Sequence, residues 1–184
     1  MSPPDDQFLD RLRSRQGRVS WPVRNEASLA ALAGISRGFD PGEVMAEWRT
    51  LLGEPGLVLR EGEATGTDPE PLEAGLVADY TAEGFSLAHT SGRPRDHLGV
   101  ELMFLAHLAS RLSQTFPDAD REGVRLAGVI SGFRRDHLDA FAPQALASLG
   151  DRATTAVLVA VPGLATGFLT ALEAVAAGSG DPAR

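Results

Sequence analysis

Apolar residues in this chain recur at intervals of three and four, and alternation with a period of two is nowhere sustained. A helix places residues three and four apart on one face, whereas a half-buried strand needs every second residue apolar. The chain is therefore expected to be all-α. Its clearest helix start is Asp40-Pro41-Gly42-Glu43, with a capping carboxylate, a proline at the first helical position and a glutamate three residues after the cap. Asp68-Pro69 repeats the signal, while Gly53-Glu54-Pro55-Gly56 and Pro117-Asp118 read as stops.

Between these marks a bundle of about seven or eight helices is expected. A short charged helix over 6–16 would carry Phe8, Leu9 and Leu12 on one side. Asn25 would cap a helix reaching about Phe39, with Leu29, Leu32, Ser36 and Phe39 along its stripe. The Gly- and Glu-rich stretch 57–67 reads as a loop or a single turn, and 89–94 as a loop. One long helix is expected over 120–141, a short one from Pro143, and a last one capped by Asp151 and kinked or split at Pro162-Gly163.

A length of 184 residues with 43% hydrophobic content suits one core, so a single domain is expected over 7–177, between flexible tails at 1–6 and 178–184. With no cysteine, thiolate metal sites and cysteine nucleophiles are excluded. A net charge of −8 disfavours nucleic acid and anionic membrane surfaces and favours a basic partner. The first residues have no apolar core of a secretory signal. Residues 153–172 carry no charge over a length that could cross a bilayer; their threonines, glycines and Pro-Gly pair instead suit a helix buried all round, so no integral membrane segment is expected.

Arg-Asp-His-Leu occurs twice, at 95–98 and 135–138. The second copy lies on a helix whose stripe runs Leu126, Ile130, Phe133, His137, Phe141. His137 is thus expected to pack in the core and find a carbonyl or carboxylate on a neighbouring helix, with Leu138 beside it and Arg134, Arg135 and Asp136 toward solvent. The first copy opens the most apolar helix of the middle region. There His97, Glu101, Phe104 and Leu108 share a stripe, so Glu101 needs a partner, and His97 one turn earlier is the nearest. Asp96 suits the first turn, where the helix dipole favours a negative charge. Two accounts stand: a capped helix with a satisfied His–Glu pair, or a polar cluster at a loop–helix junction that binds a cation. A metal site or a nucleotide-hydrolysing enzyme centred on His97, Glu101 and His137 is the rival, but no Glu-x-x-His pair, HExxH, P-loop or GxSxG accompanies it. A dimerisation or regulatory domain using the apolar C-terminal helix is a second rival.

Pro94-x-Asp96-His97-Leu98-x-x-Glu101-Leu102-x-Phe104-Leu105, followed by Phe133-x-x-x-His137-Leu138-x-x-Phe141, resembles the TorD/DmsD/NarJ family of redox-enzyme maturation chaperones over about 75–141. The resemblance implies an all-helical cytoplasmic protein, not an enzyme, with no cofactor or metal, acting as monomer or homodimer. Its partners would be the twin-arginine signal peptide and the body of a molybdopterin-containing oxidoreductase subunit. It would assist cofactor insertion and delay export. Asp96 and His97 match family residues implicated in signal-peptide binding, and Glu101 matches the neighbouring acid. Pro94, Phe104, Tyr80 and Phe85 would complete the peptide site, with carboxylates beside an apolar groove. Tyr80-Thr-Ala-Glu-Gly-Phe85 departs from the family's aromatic segment before the signature loop.

Overall fold

The computed structural model describes residues 25–178 except 37, 54, 55, 91 and 116–120. The helix expected over 6–16, the tails at 1–6 and beyond 178, and the breaks at Glu54-Pro55 and Pro117-Asp118 lie outside the described residues. In chain order the helices are α1 (Glu26–Ile35), α2 (Pro41–Gly53), α3 (Glu61–Thr65) and α4 (Pro69–Ala82). A 3-10 turn (Leu87–His89) precedes α5 (Leu98–Thr115). Then α6 (Arg121–Phe133) runs into a π turn (Arg134–Leu138), followed by α7 (Ala142–Arg152) and α8 (Ala156–Gly178). Among the described residues the only extended pairing is an isolated antiparallel bridge between Arg60 and His97. The architecture is all-α, as the spacing requires.

Two compact units form, one from residues up to Leu57 with Gln144–Ala171, the other from Val58–Pro143 with Leu172 onward. In the first, Asn25 caps α1 by accepting from Ser28 N–H at 3.1 Å, and its amide donates to Gly167 O at 2.7 Å. The helix ends at Ile35 rather than near Phe39, because the chain turns at Gly38, whose φ of 98° few other residues adopt. The buried face is also rotated from the expected stripe: Ser28 and Ile35 are buried while Leu29 is 46% exposed.

Asp40 caps α2 through Gly42 N–H at 2.6 Å and Glu43 N–H at 3.3 Å. Val44, Met45 and Leu51 then pack with Leu149, Val157 and Leu158 as this unit's core. The cap of α8 is Glu47, not Asp151, which lies inside α7. The Glu47 carboxylate accepts from the N–H of Thr154, from Thr155 N–H at 2.8 Å and from the Thr154 hydroxyl at 2.8 Å. Pro162 sits within α8 without dividing it. Nor is α8 buried all round: Ala156–Val175 is long and apolar enough to cross a membrane, and 28% of its most apolar stretch is buried.

The second unit is built on α4, α5 and α6. Asp68 caps α4 through Glu70 N–H at 3.1 Å, and Leu76 and Tyr80 are its buried residues. Leu98, Val100, Phe104, Leu105, Leu108 and Leu112 are buried along α5, which packs against α6 with its buried Leu126, Ile130 and Phe133. Glu83, just past α4, ties these helices together. Its carboxylate accepts from Arg111 of α5 at 2.7 Å and from both terminal nitrogens of Arg125 of α6, and Glu122 accepts from the same two arginines. His107 Nε2 stands 3.0 Å from Glu83 O. The helix expected to run unbroken over 120–141 widens instead after Phe133, where Asp139 N–H bonds to Arg134 O, five residues back, at 2.9 Å.

Candidate functional site

The opening expected at residues 94–101 is absent. Asp96 and Glu101 have no exposed surface, and His97 has 5%. What covers them is α3, the stretch that reads as a loop in sequence. Glu61 N–H donates to Asp96 O at 2.9 Å, and Leu98 N–H donates to Leu59 O at 2.9 Å, which draws the signature loop against the start of α3. Gly62 sits so close that a Cβ there would stand 3.2 Å from Asp96 Oδ2.

Asp96 consequently does not cap α5. Its carboxylate accepts from Arg60 Nε at 2.9 Å and from Gly62 N–H at 3.2 Å, capping α3 from outside the helix. Arg60 also reaches Glu73 at 3.1 Å. The cap of α5 falls to His97, whose Nδ1 accepts from Gly99 N–H at 2.9 Å and whose carbonyl accepts from Val100 and Glu101 N–H. That bond leaves the proton on Nε2, which is buried without a partner. Burial, reinforced by the charge of Arg93, pulls the His97 pKa down to about 4, so the ring is neutral at pH 7.

The His97–Glu101 pair expected from the spacing of four is not made, since His97 turns to Gly99. Both Glu101 carboxyl oxygens are buried with no hydrogen-bond partner. Burial, with the charges of Glu61 and Asp96 adding to it, pushes the Glu101 pKa up to about 9. Glu101 is thus a neutral acid at pH 7, which is how the fold tolerates it beside two other carboxyl groups.

Tyr80, Phe85 and Phe104 are brought together as the floor of this region. Tyr80 is fully buried, donates to Arg95 O at 2.9 Å, and its ring lies 4.8 Å from Phe104 and 5.3 Å from Phe85. Phe133 joins them, 4.7 Å from Phe104. Pro94 is half-buried, and its carbonyl accepts from His97 N–H at 3.3 Å. Leu138 and Phe141 are buried.

His137 packs its ring 4.7 Å from Phe133, and its Nδ1 lies 3.0 Å from Glu61 Oε2 on α3. It is only partly buried, because it lines a cleft. That cleft has a volume of about 250 Å³ and is lined by Asp79, Glu83, Val129, Gly132, Asp136 and His137 above the buried Phe104 and Phe133. The Asp79 and Asp136 carboxylates are 54% and 56% exposed at its rim. Asp79 Oδ2 stands 3.6 Å from His137 Nε2, while Asp136 is paired with its neighbour Arg135. Glu83 is held by Arg111 and Arg125, which depress its pKa below the usual carboxylate range.

Sequence reasoning passed over Arg60, Glu61, Asp79 and Glu83, and it placed Asp136 on the solvated side, with a task only in the rival metal reading. The one available signal was the charged Arg60-Glu61-Gly62-Glu63 run within a stretch otherwise read as loop. Among the described residues no three His, Asp or Glu side chains converge as a metal site would require.

The fold is all-helical, with an acidic cleft beside a sealed polar core. Residues 60–147 match the family described as the nitrate reductase delta subunit. The matched stretch holds α3 to α6 and the cleft. Comparison with curated proteins and with solved structures finds no match.

Proposed function

We propose that this protein is a cytoplasmic chaperone, without catalytic activity of its own, for the apo form of a molybdopterin-containing oxidoreductase subunit. It binds that subunit's twin-arginine signal peptide, assists cofactor insertion and delays export, acting as monomer or homodimer. The observation that carries the reading is the cleft: two carboxylates, Asp79 and Asp136, stand exposed at the rim of a recess above the buried rings of Phe104 and Phe133. A guanidinium group needs in-plane carboxylate oxygens, which Asp79 presents to solvent and Asp136 already presents to the neighbouring Arg135. The match of residues 60–147 to the nitrate reductase delta subunit family supports the same client class. The net charge of −8 steers basic segments toward the surface.

In this reading the peptide meets the neighbouring rim rather than Asp96, His97 and Glu101, which are buried. The test is calorimetric titration with a 20-residue peptide carrying two adjacent arginines ahead of an apolar stretch. Asp79→Asn combined with Asp136→Asn is expected to weaken binding about tenfold, each charge contributing on the order of 0.7 kcal/mol at an exposed rim. Equal binding by the double variant and the parent would exclude the cleft as the seat of the peptide.

A further inference from the structure

Glu61 stands at a junction between the sealed loop and the open cleft. Asp96 pins the first turn of α3 with three bonds: its carbonyl takes Glu61 N–H, and its carboxylate takes Gly62 N–H and Arg60 Nε. The buried Glu61 side chain then reaches the other way, to His137 Nδ1 at 3.0 Å. His137 carries the connection into the cleft, with Nε2 3.6 Å from Asp79.

We propose that Glu61 is a positioning residue for the cleft: anchored by Asp96, it holds the His137 imidazole by its Nδ1–H and sets the charge that the ring presents to a bound cation. This deepens the reading of the cleft as the seat of a guanidinium-bearing peptide, and rests on it.

With Nδ1–H directed to Glu61, His137 Nε2 is left toward Asp79. A neutral ring offers an acceptor there; a protonated ring puts a positive charge where the guest's cation must sit. Glu61 comes from α3 and Asp79 from α4, while Asp136 precedes the ring on its own turn and is paired with Arg135. Glu83, beyond the end of α4, is neutralised by Arg111 and Arg125. Arg134 is turned to Asp139 and Glu173, and Glu101 of α5 is uncharged at pH 7. Burial lowers the His137 pKa, but the hydrogen bond its Nδ1–H donates to Glu61 and the charges of Glu61, Asp79 and Asp136 together raise it above the ordinary histidine value. Affinity for a cation therefore rises with pH as the ring loses its proton.

The experiment follows the His137 ring by NMR in the free protein from pH 6 to 9. In parallel, calorimetry gives the affinity for the two-arginine peptide in the parent, Glu61→Gln and His137→Gln, with circular dichroism confirming that each is folded. In the parent, affinity is expected to rise at least about threefold through the pH at which His137 titrates, as one added charge at a partly exposed site predicts. Glu61→Gln should move the ring's titration and the affinity step to lower pH together, and His137→Gln should abolish the step. If Glu61→Gln does not fold, the parent and His137→Gln decide. An affinity step that does not track His137, or a ring unmoved by Glu61→Gln, overturns the inference while leaving peptide binding in place. Absence of binding at every pH overturns the reading of the cleft, and this inference with it.

Discussion

The fully buried carboxylate of Asp96 and the half-exposed guanidinium of Arg60 meet at 2.9 Å, thirty-six residues apart in sequence. The same carboxylate satisfies Gly62 N–H at the start of α3. Asp96→Ala leaves that N–H and part of the guanidinium unpaired. A loss of about 2–3 kcal/mol is expected, discounted from the fully buried case because Arg60 keeps contact with water and Glu73. Urea denaturation measures it, and a change under 1 kcal/mol would contradict the cap.

Glu101 gives a pH signature. Its pKa is raised by burial to about 9 from an ordinary value of 4.5. Between those values the folded state holds a proton that the unfolded chain releases, so stability falls as pH rises. Glu101→Gln removes this slope while keeping the shape. The variant should gain on the parent as pH rises from 5 to 9, by up to about 1.4 kcal/mol per pH unit. Parallel denaturation curves at pH 5, 7 and 9 check it; a constant difference would mean that the acid is ionised in the fold.

His97 acts with the opposite sign. Its pKa is lowered to about 4 from 6.5, so its contribution is present above 6.5 and is lost as pH falls toward 4. From about pH 4.5 to 6.5 the slopes of His97 and Glu101 cancel; above 6.5 only that of Glu101 remains. His97→Asn should uncover the Glu101 slope in the acid range, where stability would then fall with rising pH.

Tyr80→Phe keeps the ring against Phe104 and Phe85 but removes the bond to Arg95 O. The expected cost is about 1–2 kcal/mol, because that carbonyl loses its buried donor. Phe104→Ala, by contrast, opens a void among the rings of Tyr80, Phe85 and Phe133 and should cost about 3–5 kcal/mol. Thermal melts of the two variants must separate in that order.

Glu83 holds Arg111 and Arg125 while the two arginines also share Glu122. Glu83→Gln keeps a hydrogen-bonding side chain but removes its charge, and should cost about 1–2 kcal/mol at low salt. In the parent, a carboxylate with a depressed pKa contributes stability above its ordinary value and loses it as pH falls through the lowered one. The difference between parent and variant should shrink in 1 M salt; an unchanged difference would assign the effect to packing.

Helix type and several helix starts were legible because they depend on near neighbours. Asp40-Pro41 and Asp68-Pro69 cap α2 and α4 through bonds spanning two or three residues, as written in the chain. The caps that sequence reasoning assigned wrongly involve distant partners. Glu47 reaches Thr154 and Thr155 across more than a hundred residues, displacing Asp151, and Asp96 leaves α5 to cap α3. The stripe of α1 was misjudged for a related reason: its apolar residues outnumber what its neighbours can bury, so packing chose Ser28 and Ile35 over Leu29.

By itself the sequence determined an all-helical chain, the absence of thiolate chemistry, an acidic surface, and the signature loop with its second histidine. Each is a matter of composition or of spacing within a few turns. Only the tertiary structure decided which acids meet solvent. A five-residue helix, too short to register as a pattern, folds over Asp96, while a π turn sets Asp136 and His137 in one cleft with Asp79. Exposure depends on what lies above a residue, and here the covering segment comes from more than thirty positions away.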